Sequence, residues 1–235
     1  MTREPLTVAV AQPPCAPHDV AANARTHAAT VRSAGARVVV FPELSLTGFE
    51  LDAPPIAVHD PELRPVVEAC AEVGSVALAG APVNGGAGRP HIAMLAIDGT
   101  GVAVAYRKMW LGASESERFA PGDEPAVLDV DGWRLGLAIC RDTGVPQHAV
   151  DTAALGIDAY VAGTVKAADE AAVQEERARR VAFDHEAWVA VASFAGSTGG
   201  GFDKAAGRSA IWNSDGAAVA RAGTETGAVA SGTLR

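Results

Sequence analysis

Apolar positions in this chain recur with two spacings. Short continuous runs such as Leu6 to Ala11, Arg37 to Phe41, Ser75 to Gly80, Ile157 to Ala162 and Ala187 to Ser193 read as buried strands. After Asp19, by contrast, Val20, Ala24, Ala28 and Val31 recur at three- and four-residue steps, which predicts an amphipathic helix with Asp19 as its N-cap. Further helices are predicted over Pro61 to Val73 and over the charged segment Ala168 to His185. Three polar turns separate paired runs and predict hairpins. Asp98-Gly-Thr-Gly101 lies between His91–Ile97 and Val102–Tyr106, and Asp131-Gly132 between Ala126–Val130 and Trp133–Ile139. Ser214-Asp-Gly216 lies between Arg208–Asn213 and Ala217–Arg221. Strand–helix–strand units mixed with hairpins exclude a purely parallel doubly wound sheet. They predict an α/β chain built on a mixed sheet, or on two packed sheets with helices outside. No repeat, low-complexity stretch or boundary divides the chain, so a single domain over 1–235 is expected. Gly196 to Gly201 reads as the loosest loop, and the lack of a following Gly-Lys-Ser/Thr excludes a phosphate loop.

Composition narrows the function classes. The chain has 235 residues, 49% of them apolar and 20% charged, with a net charge of −9. No block of Lys and Arg suggests a nucleic-acid groove, because Arg177, Arg179 and Arg180 are interleaved with Glu175 and Glu176. No run approaches the roughly 20 apolar residues of a membrane span. The N-terminus leads straight into a strand without a targeting segment. Cys15, Cys70 and Cys140 are far apart and odd in number, which predicts free thiols in a reducing, cytoplasmic setting.

Candidate chemistry sits at three strand ends. Cys140 closes the run Leu135-Gly-Leu-Ala-Ile-Cys140 before a turn over Asp142, Thr143, Gly144 and Pro146 that opens a helix. Unpaired backbone N–H groups at such a turn can hold an anion beside a thiol nucleophile. Glu43 follows the strand Val38-Val-Val-Phe-Pro among Leu44, Leu46 and Phe49, surroundings that raise a carboxyl pKa toward that of a general base. Lys108 follows Val104-Ala-Tyr-Arg and precedes Met109, Trp110 and Leu111, as a fixed cation for an oxyanion would. Each also has a plainer reading: Cys140 as a packing residue, Glu43 in a solvated loop, Lys108 reaching for water.

In the order Glu, Lys, Cys, these segments resemble the carbon–nitrogen hydrolase, or nitrilase, superfamily. The resemblance is carried by Val8-Ala-Val-Ala-Gln12, Phe41-Pro-Glu43, Thr47-Gly48, Tyr106-Arg-Lys108 and Phe119-Ala-Pro-Gly-Asp123. It continues through Gly136-Leu-Ala-Ile-Cys140 with Asp142 and Pro146, then Gly207-Arg-Ser-Ala-Ile211 and Asp215-Gly216. It implies a four-layer α-β-β-α sandwich of two mixed sheets, dimeric through one helical face, with no metal and no organic cofactor. It assigns Glu43 as general base, Lys108 as oxyanion stabiliser, Cys140 as nucleophile and the Arg141 N–H as an oxyanion donor. It also implies a second glutamate, falling here on Glu115 with Glu117 as fallback. Trp110, Arg141 and Thr164 are candidate substrate contacts, and Asp142 is expected to cap the following helix.

The implied activity is thiol-dependent hydrolysis of a small non-peptide amide through a thioester. N-carbamoyl amine or amino-acid hydrolysis comes next, and nitrile hydrolysis third, because the Trp-Glu of nitrilases is here Arg141-Asp142. A catalytically silent member that binds a ligand or partner is the alternative of another class. The chain departs from the pattern at Trp110, where a His is usual, and at Gly144 and Gln147, where Arg and Glu are usual; Gly144 weakens the carbamoyl amino-acid reading. Asp184-His185 stands where the family carries Glu-Asn. Little chain follows Gly227 to Gly232, so few tail-mediated dimer contacts are expected.

Overall fold

Two six-stranded sheets carry nearly all of the apolar runs. The computed structural model describes residues 3–85 and 88–235; Met1 and Thr2, part of the N-terminus read above, lie outside it. The first half comprises β1 (Leu6–Ala11), α1 (Val20–Ala34), β2 (Val38–Val40), α2 (Arg64–Val73), β3 (Val76–Val83), β4 (His91–Asp98), β5 (Gly101–Arg107) and the single turn α3 (Ala113–Ser116). The second half comprises β6 (Val127–Val130), β7 (Trp133–Ile139), α4 (Pro146–Ala153), β8 (Ala159–Thr164), α5 (Ala171–His185) and β9 (Trp188–Ser193). Then come the short pair β10 (Ala195–Gly196) and β11 (Ala205–Ala206), followed by β12 (Ala210–Trp212), β13 (Ala218–Arg221) and β14 (Val229–Leu234).

One sheet has the order β14-β1-β2-β3-β4-β5 and the other β13-β12-β9-β8-β7-β6. Both follow one plan. Three neighbouring strands are parallel, β1-β2-β3 and β7-β8-β9, and each connection between them carries a helix. The flanking pairs are antiparallel, most of them hairpins. Three apolar layers result. Leu6, Val8, Val10, Leu135, Leu137 and Val161 pack between the sheets. Ala24, Val31, Val66 and Leu95 pack α1 and α2 on the first sheet, and Tyr160, Ala178, Val181 and Trp212 pack α5 on the second. This is the α-β-β-α sandwich that the resemblance implied. The parallel strands are covered on both faces, which is why they read as unbroken apolar runs rather than alternations.

The edge of the first sheet is the strand Val229–Leu234, pairing antiparallel with the whole of β1. Its Ala, Ser, Gly and Thr residues carry almost no apolar alternation, so pairing with β1 rather than local pattern defines it. The Gly196 to Gly201 loop is tied down: the Gly199 N–H and the Thr198 hydroxyl both donate to the Gly48 carbonyl, at 2.9 Å each. Among the described residues, no helix is long and apolar enough to cross a membrane.

Glycines let the sheets close around the loop after β2. A Cβ on Gly163, at the end of β8, would lie 2.6 Å from the Phe41 carbonyl oxygen and 3.1 Å from the Glu43 nitrogen. A Cβ on Gly80 of β3 would lie 2.2 Å from the Leu44 nitrogen. Backbone is packed on backbone at both places, so neither side can yield cheaply. Gly163→Ala is expected to destabilise the protein by about 1–3 kcal/mol in urea unfolding; an unchanged midpoint and slope would show that the loop moves freely.

Candidate active site

The loop after β2 is held from beneath by α1. That helix starts as expected, with the Asp19 carboxylate accepting from the Ala22 N–H at 2.8 Å. Its buried face is interrupted by two polar residues, Asn23 and His27, and both are satisfied by the loops above. Asn23 donates to the carbonyls of Ala16 and Leu46, at 2.8 and 3.0 Å. His27 bonds the Asn23 carbonyl through Nδ1 at 2.7 Å and the Ser45 hydroxyl through Nε2 at 2.8 Å, and stacks on Phe41 at 4.0 Å. Burial lowers its pKa to about 4, so the ring is neutral at physiological pH. Phe41 and Ser45 flank Glu43, which is fully buried. Leu44 adopts a left-handed φ of 51° to make the turn.

Glu43 meets Lys108 and Glu115 in a buried cluster. Lys108 Nζ donates to Glu43 Oε1 at 2.6 Å and to both oxygens of Glu115, at 2.7 and 2.8 Å. Glu115 Oε2 also accepts from the Gly112 N–H at 2.6 Å, which fixes the carboxylate on α3. Glu117 is exposed, so Glu115 is the glutamate that the fold brings inward. The Lys108 backbone is fastened by its N–H to the Ile92 carbonyl and by the Gly122 N–H to its own carbonyl, each at 2.8 Å. Among the described residues no hydrogen bond reaches Glu43 Oε2, and the Cys140 thiol lies beside this carboxyl.

Cys140 comes from the other sheet. It begins the tight turn Cys140–Gly144 and adopts a φ of 41°, a left-handed conformation that a side-chain-bearing residue holds only when its surroundings enforce it. Its Sγ donates to the Val165 carbonyl at 3.4 Å. The turn is anchored by Thr143, whose hydroxyl donates to the Cys140 carbonyl at 2.7 Å, and by Asp142. Its Oδ2 accepts from the Ile139 N–H at 2.9 Å and the Tyr106 hydroxyl at 2.8 Å, and its Oδ1 from the Trp110 N–H at 2.9 Å. The sequence led us to expect Asp142 as the cap of the following helix, but its side chain does not cap α4. It is fully buried and joins the Cys140 turn to the segment carrying Lys108. Tyr106 also meets His148 Nε2 at 2.9 Å, and His148 Nδ1 meets the Tyr160 hydroxyl at 2.9 Å. Sequence reading missed this chain because its members are spread over β5, the turn, α4 and β8.

Burial sets the protonation states. It raises the Glu43 carboxyl to about 7, against the pull of Lys108 and with a push from Glu115. It raises the Cys140 thiol to about 11, aided by Glu43 and opposed by Lys108 and Lys166. Burial alone would lower the Lys108 ammonium, but Glu43, Cys140 and Glu115 together hold it above the ordinary lysine value. Near neutral pH the cluster thus pairs a protonated thiol with a carboxyl that exchanges its proton readily, beside a permanent cation.

The remaining candidates are placed differently. The Arg141 side chain is exposed at the start of the turn, and Trp110 is 41% exposed. Thr164 points to α5 rather than to the thiol, its hydroxyl donating to Gln174 Oε1 at 3.0 Å, because alternate residues of β8 face opposite layers. At Gly144, a Cβ would lie 2.5 Å from the guanidinium carbon of Arg177, so α5 fills the space that a side chain there would need. His18, Glu50 and Asp52 stand close enough to share one metal ion, but on the surface, and His18 is already paired with Asp52 at 2.7 Å.

The sequence and the fold have known relatives. The carbon–nitrogen hydrolase family model matches residues 7–235. A hydrolase encoded in the pqqF 5' region of Pseudomonas protegens is 29% identical over 97% of this chain and 82% of its own length. Among solved structures, Nit3 of Saccharomyces cerevisiae, a nitrilase-superfamily member, superposes with a TM-score of 0.85 at 21% identity, over 98% of this chain and 90% of its own. A mutant of the amidase from Nesterenkonia sp. AN1, in complex with butyramide, does so with a TM-score of 0.85 at 24% identity, over 97% and 90%. At these identities the two structures show the shared fold.

The cluster yields a stability test. Lys108→Met leaves two buried carboxylates without their cation, which costs about 3–5 kcal/mol at pH 8. The cost is expected to shrink at pH 5. Glu43 has its pKa raised to about 7 by burial, so it is protonated there and no longer needs the cation. Urea unfolding at the two pH values reads the difference, and an equal loss at both would contradict the charge assignment.

Proposed function

The chain belongs to the carbon–nitrogen hydrolase family, enzymes acting on carbon–nitrogen bonds, and from that premise we propose that it is a single-domain thiol amidase releasing ammonia or an amine from a small amide. The observation that carries this reading is the meeting of a buried carboxyl, ammonium and thiol from three strand ends, with one carboxyl oxygen left without a protein hydrogen bond.

Glu43 Oε2 takes the thiol proton as Cys140 Sγ attacks the amide carbon. The thiol pKa of about 11 makes this transfer necessary, because little thiolate exists at neutral pH. Lys108 and the Arg141 N–H stabilise the oxyanion of the tetrahedral intermediate. As the carbon–nitrogen bond breaks, protonated Glu43 passes its proton to the departing nitrogen. The same carboxylate then takes a proton from water, whose oxygen attacks the thioester; the proton returns to sulfur as the carboxylic acid leaves. Glu115 acts through Lys108, holding its ammonium between two carboxylates, and so is a positioning residue. The butyramide bound by the Nesterenkonia amidase mutant supports a small amide as the substrate class. The three free cysteines support a reducing, cytoplasmic setting.

Cys140→Ala is expected to abolish ammonia release across a panel of primary amides, carbamoyl amines and nitriles, with the fold intact by circular dichroism. Wild-type-like turnover in that variant would sink the mechanism. Activity, as kcat/KM, is expected to rise through pH of about 7 as Glu43 loses its proton, and Glu43→Gln to remove that limb with most of the rate. A profile without a limb near that pH would remove Glu43 as the base.

A homodimer through the outer face of α4 and α5 completes the reading. Phe183 is 73% exposed on α5, and Val150 and Leu155 are 48% and 40% exposed on and just after α4. Light scattering is expected to give a dimer for the wild type and a monomer for Phe183→Asp; a monomeric wild type would refute it.

A further inference from the structure

The polar side chains behind the nucleophile turn form one connected chain. It runs from Tyr160 on β8 through His148 on α4 and Tyr106 on β5 to Asp142 in the turn. All four are buried. Apolar groups of the same shape would serve the stability of a core about as well, so burial alone does not account for the chain. What hydrogen bonds in series add is a direction.

The donors in this chain point one way. An ionised carboxylate accepts and does not donate. Asp142 Oδ2 takes the Ile139 N–H, and Tyr106 gives the same oxygen its phenolic proton at 2.8 Å. Only lone pairs then remain on the Tyr106 oxygen. The Met109 N–H donates to one at 3.2 Å, and His148 Nε2, at 2.9 Å, has to donate to the other. The His148 proton therefore sits on Nε2. Burial lowers the His148 pKa against the pull of Asp142 and Asp151, so at neutral pH the ring carries that one proton. Nδ1 accepts from the Tyr160 hydroxyl at 2.9 Å. Thr152 does not compete for it, because its hydroxyl proton goes to the His148 carbonyl at 2.7 Å.

The chain ends where the two halves of the site are tied together. Asp142 holds the N–H of Ile139, the residue before Cys140, and that of Trp110, just beyond Lys108. Tyr106 holds the N–H of Met109, directly after Lys108. If the Tyr106 proton turned toward His148, Asp142 would lose one of its three donors, and both segments would be free to shift. An imidazole already protonated on Nε2 forbids that turn. We propose that His148 is a positioning residue for the reaction: by donating from Nε2 to Tyr106 it locks the phenolic proton onto Asp142, and so fixes Cys140 and Lys108 relative to each other across the two sheets. Its effect on turnover rests on the amidase reading; the direction of the hydrogen bonds does not.

The imidazole nitrogen NMR spectrum of the wild-type protein needs no substrate. It is expected to show His148 as the Nε2–H tautomer at neutral pH, and the Nδ1–H tautomer overturns the proposal. His148→Gln keeps a donor at the reach of Nε2, whereas His148→Asn keeps polar atoms only at the reach of Nδ1. With butyramide, kcat is expected to stay within about twofold of wild type in His148→Gln and to fall about tenfold or more in His148→Asn, with KM unchanged. Tyr106→Phe is expected to lose at least as much, and the double variant with His148→Asn no more than Tyr106→Phe alone, because His148 acts through Tyr106. Equal kcat in the Gln and Asn variants, a change confined to KM, or losses that multiply in the double variant overturn the proposal and leave the amidase reading intact. If a variant fails to fold, the tautomer still decides. If no amide is turned over, the amidase reading fails separately, and alkylation of Cys140 by iodoacetamide, followed on its own peptide by mass spectrometry, takes the place of kcat. Its rate is expected to fall in His148→Asn and not in His148→Gln, and equal rates would remove the positioning role.

Discussion

A lysine ammonium buried between two carboxylates is the interaction on which the rest of this structure depends. Taking Glu43, Lys108 and Glu115 out of water costs several kcal/mol per ion, and only close, well-bonded contacts offset it. Lys108 supplies three such contacts at 2.6 to 2.8 Å, one for each of its protons. The cluster therefore tolerates little displacement of any of the three segments that carry it. The surrounding anchors follow from that demand: α1 beneath the Glu43 loop, backbone hydrogen bonds on both sides of Lys108, and the α3 turn whose Gly112 N–H holds Glu115.

The second constraint is the joining of two sheets. Both are built to one plan, with three parallel strands flanked by antiparallel ones, and they meet at strand ends without a side chain at the tightest points. Gly80 from one sheet and Gly163 from the other press on the same stretch of backbone around Glu43. Asp142 adds a polar fastening, since its two oxygens reach the N–H of Trp110 on one side and of Ile139 on the other. The strained backbone of Cys140 is held by this fastening, and the thiol is aimed at the carboxyl as a result.

Local pattern carried much of this in the sequence. The unbroken runs of β2, β7 and β8, the Asp19 cap and the Asp-Gly hairpins each follow from backbone chemistry within a few residues, and strand ends marked Glu43, Lys108 and Cys140 as neighbours. What local pattern does not contain was lost. β14 is defined by its partner β1 rather than by its own small residues. Asp142 looked like a cap because a turn residue before a helix normally is one, and only the arrival of Tyr106 and Trp110 gives it another use. Thr164 was placed near the substrate by its position in the chain, but strand alternation turns it to the helical layer. Arg177 carried no signal among alternating charges, since its packing against Gly144 exists only once α5 is in place.

The division of the site between the sheets sets what its activity reports. The proposed base and cation belong to one sheet and the nucleophile to the other, and hydrogen bonds within each sheet say nothing about the distance between them. That distance is fixed by interdigitated Val, Leu and Ile side chains and by one buried aspartate. An expanded state that kept both sheets and every helix, but loosened this inner layer, would retain its far-ultraviolet spectrum and lose the encounter of thiol and carboxyl. Turnover in this molecule is a gauge of side-chain packing between layers, and it fails before secondary structure does.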